Sequence, residues 1–80
     1  MMPLYYLHVC NGTGFVEDQE GHELPDLAAA QREAVKGLRD ILAADLKEGE
    51  IKMTSFIEVE DEARTLLITV TAEEVIKFTR

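Results

Sequence analysis

The two histidines and the single cysteine of this 80-residue sequence are the side chains best suited to metal binding or nucleophilic chemistry. His8 and Cys10 are two residues apart in a segment rich in β-forming side chains, so a strand would place them on one face, with His22 as a third candidate. A structural zinc site uses four such ligands at recognisable spacings, and a catalytic cysteine needs a base and a group that orients the base. The sequence contains neither pattern. We therefore predict no catalytic, cofactor-binding or metal-binding residue, and a site built from His8, Cys10 and His22 is kept as a third hypothesis.

A group of acidic residues near position 20 is the next candidate, because Ca²⁺ and Mg²⁺ prefer carboxylate oxygens. The group comprises Glu17, Asp18, Glu20 and Glu23. Its spacing does not fit an EF-hand loop, and Asp18 and Gly21 occupy the first and fourth places of a tetrapeptide typical of a type I turn. We interpret the group as a turn with a solvated acidic rim. The segment 11–14, Asn-Gly-Thr-Gly, lacks the spacing of a phosphate-binding loop and predicts a hairpin turn.

The net charge of −8 is unevenly distributed along the chain. Five acidic residues and no Lys or Arg precede Leu27, whereas the segment 27–48 has four bases and four acids. Such a surface repels phosphate backbones, so we predict no nucleic-acid partner, while a basic protein partner is electrostatically easier. The N-terminus lacks the features of a signal peptide, and no stretch has the length of a membrane span, which predicts a cytoplasmic protein without a membrane partner.

The elements that must position these residues centre on a long helix predicted from Leu27 to Glu48. Asp26 is a good N-cap, Pro25 restricts the preceding chain, and Gly49 suits a left-handed C-cap. Apolar residues at steps of three and four predict one buried face: Leu27, Ala30, Ala34, Leu38, Ile41, Leu42 and Leu46. Gly37 lies within this helix, either as a point of close backbone approach or as a tolerated glycine.

Two hairpins flank the helix. Leu4 to Asp18 forms the first, and the strands 54–60 and 65–71 form the second, for which alternation predicts a core face. That face comprises Ile57, Val59, Leu66, Ile68 and Val70. Thr71 and Glu74 have capping-box spacing, which predicts a short terminal helix carrying Val75, Ile76 and Phe78. The predicted fold is a single small α+β domain over residues 1–80, in the order β-β-α-β-β with a short C-terminal helix, whose antiparallel sheet is covered on one face by one long helix.

The opposite face of this sheet is predicted to carry the apolar side chains of Tyr6, Phe56 and Leu67. A small domain has a marginal core, so we predict that a second copy covers this surface in a homodimer.

The segment Gly21 to Leu27, Gly-His-Glu-Leu-Pro-Asp-Leu, carries a resemblance to a family of short bacterial proteins of unknown function. The residues that share it are Pro3, Tyr5, Tyr6, His8, Asp18, Gln19, Glu20, Gly21, Glu23–Leu27, Ala30, Glu33, Ala34, Ile57–Val59, Asp61 and Glu62. The family usually has a glycine before the arginine of the second hairpin, where this chain has Ala63 and Arg64. In layout the chain is also similar, more distantly, to the HicB-like antitoxin domain, which binds a small basic ribonuclease toxin.

Three functional hypotheses follow. The first is a non-enzymatic protein-interaction or regulatory module, and the second is a HicB-like antitoxin. The third is a metal-binding protein or an enzyme. The resemblance to a family without an assigned activity adds no mechanism, so the first hypothesis is the one that we carry forward.

Overall fold

The structure is a computed structural model that describes residues 2–12 and 14–76. It has the predicted α+β architecture. The elements are β1 (Leu4–Asn11), β2 (Gly14–Val16), β3 (His22–Glu23), α1 (Leu27–Lys47), β4 (Phe56–Glu60), β5 (Leu66–Thr71) and α2 (Ala72–Val75). The strands form an antiparallel sheet in the order β2-β1-β4-β5, with β3 also paired to β1. The two hairpins are therefore joined through β1 and β4, which lie at the centre of the sheet.

The strand β3 was not predicted from the sequence. β2 pairs with the second half of β1, from Val9 to Asn11, whereas β3 pairs with its beginning, at Leu4 and Tyr5. Both short strands thus use the same edge of the eight-residue strand β1, and residues 17–21 interrupt the pairing between them. A two-residue strand is too short to produce an alternating pattern, so only the pairing reveals it.

Helix α1 begins at Leu27 as predicted and ends at Lys47, one residue before the predicted end at Glu48. The Asp26 carboxylate accepts a hydrogen bond from the Ala29 backbone N–H at 2.8 Å, and Gly49 follows the last turn with φ = 96°. A φ in this region favours glycine, because glycine has no Cβ that would clash with the backbone. These local interactions confirm the two predicted cap residues, Asp26 and Gly49.

The core lies between α1 and one face of the sheet. Its buried members are Tyr5, Ala30, Ala34, Leu38, Leu42, Ile57, Val59, Val70, Ala72 and Val75. The predicted stripe is correct at the centre of α1 and wrong at its ends, since Leu27 and Leu46 are 37% and 62% exposed. A Cβ added at Gly37 would lie 3.5 Å from Ile57 Cδ1, an ordinary van der Waals distance. Gly37 therefore faces a side chain of the sheet rather than a closely approaching backbone.

The prediction that Leu66 lies on the core face of β5 is wrong. Val59 pairs with Ile68, but its neighbour Glu60 pairs with Leu66, so Leu66 and Leu67 both lie opposite Glu60 in a β-bulge. The extra residue interrupts the alternation, because one inserted position moves the next side chain to the other face. Leu66 is consequently 51% exposed.

The β4–β5 connection is organised by Asp61, whose carboxylate accepts hydrogen bonds from the backbone N–H groups of Ala63 and Thr65. Arg64 has φ = 67°, a left-handed conformation that is uncommon for residues other than glycine. Arginine itself thus occupies the left-handed position of this turn.

Helix α2 confirms the predicted short C-terminal helix over residues Ala72–Val75. The predicted capping box forms differently, because the Thr71 hydroxyl donates to the Glu74 carboxylate at 3.2 Å and caps no backbone N–H. Val75 is buried in the core. The prediction for Phe78 lies outside the described residues.

Candidate functional site

The face of the sheet opposite α1, here called the open face, carries His8 and Cys10, two of the three candidate residues for metal binding or catalysis. Strand pairing arranges its side chains in three rows across the strands. One row is Phe15, Cys10, Phe56 and Thr71; the next is His8, Glu58 and Thr69; the last is Tyr6, Glu60 and Leu66. The first row is largely apolar, and Phe15 is 55% exposed. The open face therefore combines an apolar row with a polar centre.

His8 is buried although it lies on the open face, with 4% of its surface exposed. Its ring lies between those of Tyr6, with centroids 6.4 Å apart in a stacked arrangement, and Phe15, with centroids 5.7 Å apart. The segment after β2 closes over it. This local covering buries the histidine without any contribution from α1.

Both ring nitrogens of His8 form hydrogen bonds. The Asp18 backbone N–H donates to Nδ1 at 3.0 Å, and Nε2 lies 2.7 Å from Glu60 Oε1. A backbone N–H can only donate, so Nδ1 carries no proton and the neutral ring holds its proton on Nε2, which donates to the carboxylate. The histidine thereby links the β2–β3 segment to strand β4. A base that served the Cys10 thiol would need a free ring nitrogen, and this geometry leaves none.

Asp18 organises the segment between β2 and β3 through three backbone N–H groups. Oδ2 accepts from Leu7 at 3.1 Å, and Oδ1 accepts from Glu20 at 3.2 Å and from Gly21 at 3.0 Å. The chain thus reverses at the predicted residues, where the Asp18 side chain rather than its carbonyl oxygen accepts from Gly21, and Gly21 has φ = 78°. The carboxylate also replaces the strand partner that the N–H of Leu7 lacks at the interruption between β2 and β3. One side chain therefore closes the turn and completes the edge of β1.

The same contacts favour the ionised form of Asp18. Burial by itself raises the pKa of this carboxyl, but the hydrogen bonds from Gly21 and Leu7, the charge of His22 and the hydrogen bond from Glu20 together outweigh it. The pKa of Asp18 consequently lies below its ordinary value. The aspartate is a charged, structurally engaged group at neutral pH.

A second set of contacts surrounds Glu60 at the end of β4. The Arg64 guanidinium lies 3.9 Å from the centroid of the Tyr6 ring and its Nη1 lies 3.8 Å from Glu60 Oε1. This cation–π contact accompanies the left-handed backbone of Arg64. Tyr6, His8, Glu60 and Arg64 thus form one connected cluster with Asp18.

The three candidate residues are not assembled into one site. His22 is 48% exposed and pairs with Asp18 at 3.3 Å, so it reaches His8 only through the aspartate. Cys10 is a free, partly buried thiol in the apolar row. Within residues 2–12 and 14–76, no group of three or more His, Cys, Asp and Glu side chains is arranged to hold a metal ion. Glu17, Glu20 and Glu23 are solvent-exposed on the rim, as the turn interpretation predicts.

A feature that the sequence analysis missed lies on the exposed flank of α1. A groove of about 430 Å³ is lined by Gln31, Arg32, Val35, Lys36 and Arg39, and we call it the basic groove. Its three bases recur at steps of four and three, which places them on one side of a helix. The spacing of the bases in the sequence is sufficient to predict this cluster. The net charge of the predicted helix over residues 27–48 does not indicate it, because four acids balance its four bases.

The fold and the cluster define a class: a small α+β domain with one helix-covered sheet face and one open face that contains a hydrogen-bonded histidine. Within the described residues no helix has the length and apolar character needed to cross a membrane. Residues 4–73 match the family described as a domain of unknown function (DUF6894), and the chain belongs to that family. The searches of curated proteins and of solved structures found no match. The family of unknown function is thus confirmed, and the similarity to the HicB-like antitoxin domain stays a prediction.

Proposed function

We propose that this domain is a non-enzymatic protein-interaction module of the cytoplasm that forms a homodimer through its open face. The observation that carries the proposal is the apolar row of Phe15, Cys10 and Phe56, in which Phe15 is 55% exposed and the other two are partly exposed. Leu66, moved onto this face by the bulge, adds a second exposed apolar side chain. Exposed apolar patches of this kind are typical of protein interfaces.

The geometry of His8 supports a module without catalysis. A general base needs a ring nitrogen within reach of a substrate, whereas His8 is buried and both of its nitrogens are engaged. Its hydrogen bonds connect it to the Asp18 backbone and to the Glu60 carboxylate. The histidine therefore acts as a rigid support for the open face, and a preorganised surface loses less entropy on binding.

The charges of the open face are compatible with self-association. Glu60 is paired with His8 and Arg64. The other carboxylate in the three rows of this face, Glu58, has no partner among the described residues. Two sheets that pack face to face lie about 10 Å apart and interdigitate their side chains. Phe15 from each copy would then bury its ring against the apolar row of the other.

The test is the mass of the protein in solution at tens of micromolar, measured by light scattering after size exclusion. We expect twice the 9.0 kDa of the chain. Phe15→Ser should convert the dimer to a monomer, because it removes the most exposed ring of the apolar row. Leu46→Ser is the matched control, since Leu46 is 62% exposed but lies on α1, and it should leave the mass unchanged. A monomeric wild-type protein would overturn the homodimer.

The second candidate function is a HicB-like antitoxin that binds a small basic ribonuclease. The acidic composition supports this alternative, as do Glu58 on the open face and the exposed acids around β3. The test is purification from the native cell followed by analysis of stoichiometric partners. A small basic protein whose ribonuclease activity the domain inhibits would support the alternative, and a partner without that activity would exclude it.

A further inference from the structure

The basic groove of α1 concentrates positive charge in a strongly acidic molecule. Three of the eight Lys and Arg residues of the chain, Arg32, Lys36 and Arg39, lie within about two helical turns. All three side chains are exposed, and the partly buried Val35 forms an apolar floor between them. The groove therefore offers cations around an apolar centre.

These bases have few partners of their own. Arg32 and Lys36 form no hydrogen bond or ion pair with the rest of the described chain. Arg39 donates only through Nε, to the Val75 carbonyl oxygen at 3.4 Å, which fixes its guanidinium beside α2 and leaves its terminal nitrogens toward solvent. Like charges one turn apart on a helix repel one another, so an anionic partner would relieve an existing cost.

We propose that the basic groove binds a short acidic peptide segment of another protein. Carboxylates would pair with Arg32, Lys36 and Arg39, for which the planar guanidinium groups offer two parallel hydrogen bonds each. An apolar side chain of the same segment would cover Val35. This surface is on the opposite side of the molecule from the proposed dimer interface, so each proposal can be tested independently of the other.

The surrounding charges select a peptide over a nucleic acid. Glu33 and Asp40 flank the groove on α1, and Glu73 and Glu74 are exposed on α2. A phosphate chain carries charge at every nucleotide, so it would meet these carboxylates as soon as it left the groove. A peptide can confine its acidic residues to the groove and continue with neutral ones.

Fluorescence anisotropy of a labelled decapeptide, glutamates around two central leucines, tests the proposal on the full chain. We expect saturable binding that weakens as the salt concentration rises, because the ion pairs are exposed. Lys36→Glu should weaken binding about tenfold. Lys47→Glu makes the same change on the same helix outside the groove and should leave binding within about twofold of the wild type. Arg32→Gln with Lys36→Gln provides a second variant that adds no repulsive charge, and circular dichroism establishes that each variant is folded.

The outcomes separate the alternatives. Loss of binding in both groove variants, with the Lys47→Glu control intact and the solution mass unchanged, would support the proposal. No binding to the wild type, or equal weakening by Lys36→Glu and Lys47→Glu, would overturn it. Tighter binding of a labelled oligothymidylate through the same bases would overturn the peptide in favour of a nucleic acid. A change in solution mass for the groove variants would instead assign the groove to a second copy of the chain.

Discussion

The two faces of the sheet are ordered by different interactions. On the helix-covered face, Leu38, Val59 and Val70 are almost completely buried and pack as aliphatic side chains between two layers. On the open face, His8 is as well buried, but what holds it is a set of directed hydrogen bonds to Asp18 and Glu60. The first face is stabilised by the area removed from water, and the second by hydrogen-bond geometry.

The two faces should differ in the substitutions that they tolerate and in how well their shape is defined before binding. Aliphatic packing tolerates exchange among side chains of similar volume, whereas a buried histidine with two partners tolerates little, because each lost partner leaves a buried polar group unsatisfied. A surface held by hydrogen bonds is also defined in shape before a partner arrives. The open face therefore has the more specific architecture of the two, although it buries less apolar area.

The largest expected loss of stability comes from a substitution in the core of the helix-covered face. Leu38→Ala removes a fully buried side chain and should lower the free energy of unfolding by about 2 to 5 kcal/mol, measured by urea denaturation. Leu46→Ala on the exposed end of α1 is the control and should change it by about 0.5 kcal/mol or less. A loss below about 1 kcal/mol for Leu38→Ala would contradict the assignment of this face as the main core.

The next effect concerns the open face. His8→Phe keeps a ring of similar shape but removes both hydrogen bonds, so it should cost about 1 to 3 kcal/mol of unfolding free energy. His22→Phe is the control, because His22 is about half exposed, and it should be nearly neutral. If His8→Phe were neutral as well, the open face would be ordered by ring packing, and the contrast between the faces would disappear.

The pH dependence of stability sharpens the same contrast. The pKa of Asp18 is lower in the folded protein than its ordinary value, so its stabilising contribution is present above the unfolded pKa of about 4 and is lost as the pH falls through the folded pKa. Asp18→Asn replaces one of the two acceptor oxygens by an NH2 group, so the N–H of Leu7 or those of Glu20 and Gly21 lose their acceptor. The substitution should cost about 1 kcal/mol at neutral pH and should flatten the decline on acidification. Melting temperatures between neutral pH and pH 3 measure this. An unchanged decline in the variant would show that other carboxylates govern it.

A stabilising change probes the spacing of the helix-covered face. Gly37→Ala should raise the free energy of unfolding by up to about 1 kcal/mol, because the new methyl group meets Ile57 at van der Waals distance and alanine favours the helix. Gly49→Ala provides the opposite case and should lose stability, since Gly49 has a left-handed backbone. Thermal melting of the two variants checks both signs, and a destabilised Gly37→Ala would mean that α1 needs a bare backbone there.

The smallest effect lies at the edge of the open face. Arg64→Ala keeps the left-handed backbone but loses the contact with Tyr6, and should cost about 0.5 to 1 kcal/mol. Arg64→Gly loses the same contact but relieves the backbone, so it should be more stable than Arg64→Ala in urea denaturation. If the two variants were equally stable, the left-handed position would carry no strain.

The sequence by itself determined the helix and the alternation of β4. Asp26 caps a backbone N–H three residues away, Gly49 follows the last turn, and the alternation of Ile57 and Val59 is a property of β4 alone. Each of these features depends on residues close together in the chain. A local pattern is therefore sufficient to predict them.

The tertiary structure alone decided the composition of the candidate site. His8 and Glu60 are 52 positions apart, and they meet because β1 pairs with β4 in one particular register. The bulge opposite Glu60 similarly moved Leu66 to the open face, and only its pairing reveals it. Register and bulges are set by the fit of whole elements against one another, so the partners of His8 could not be read from spacing along the chain.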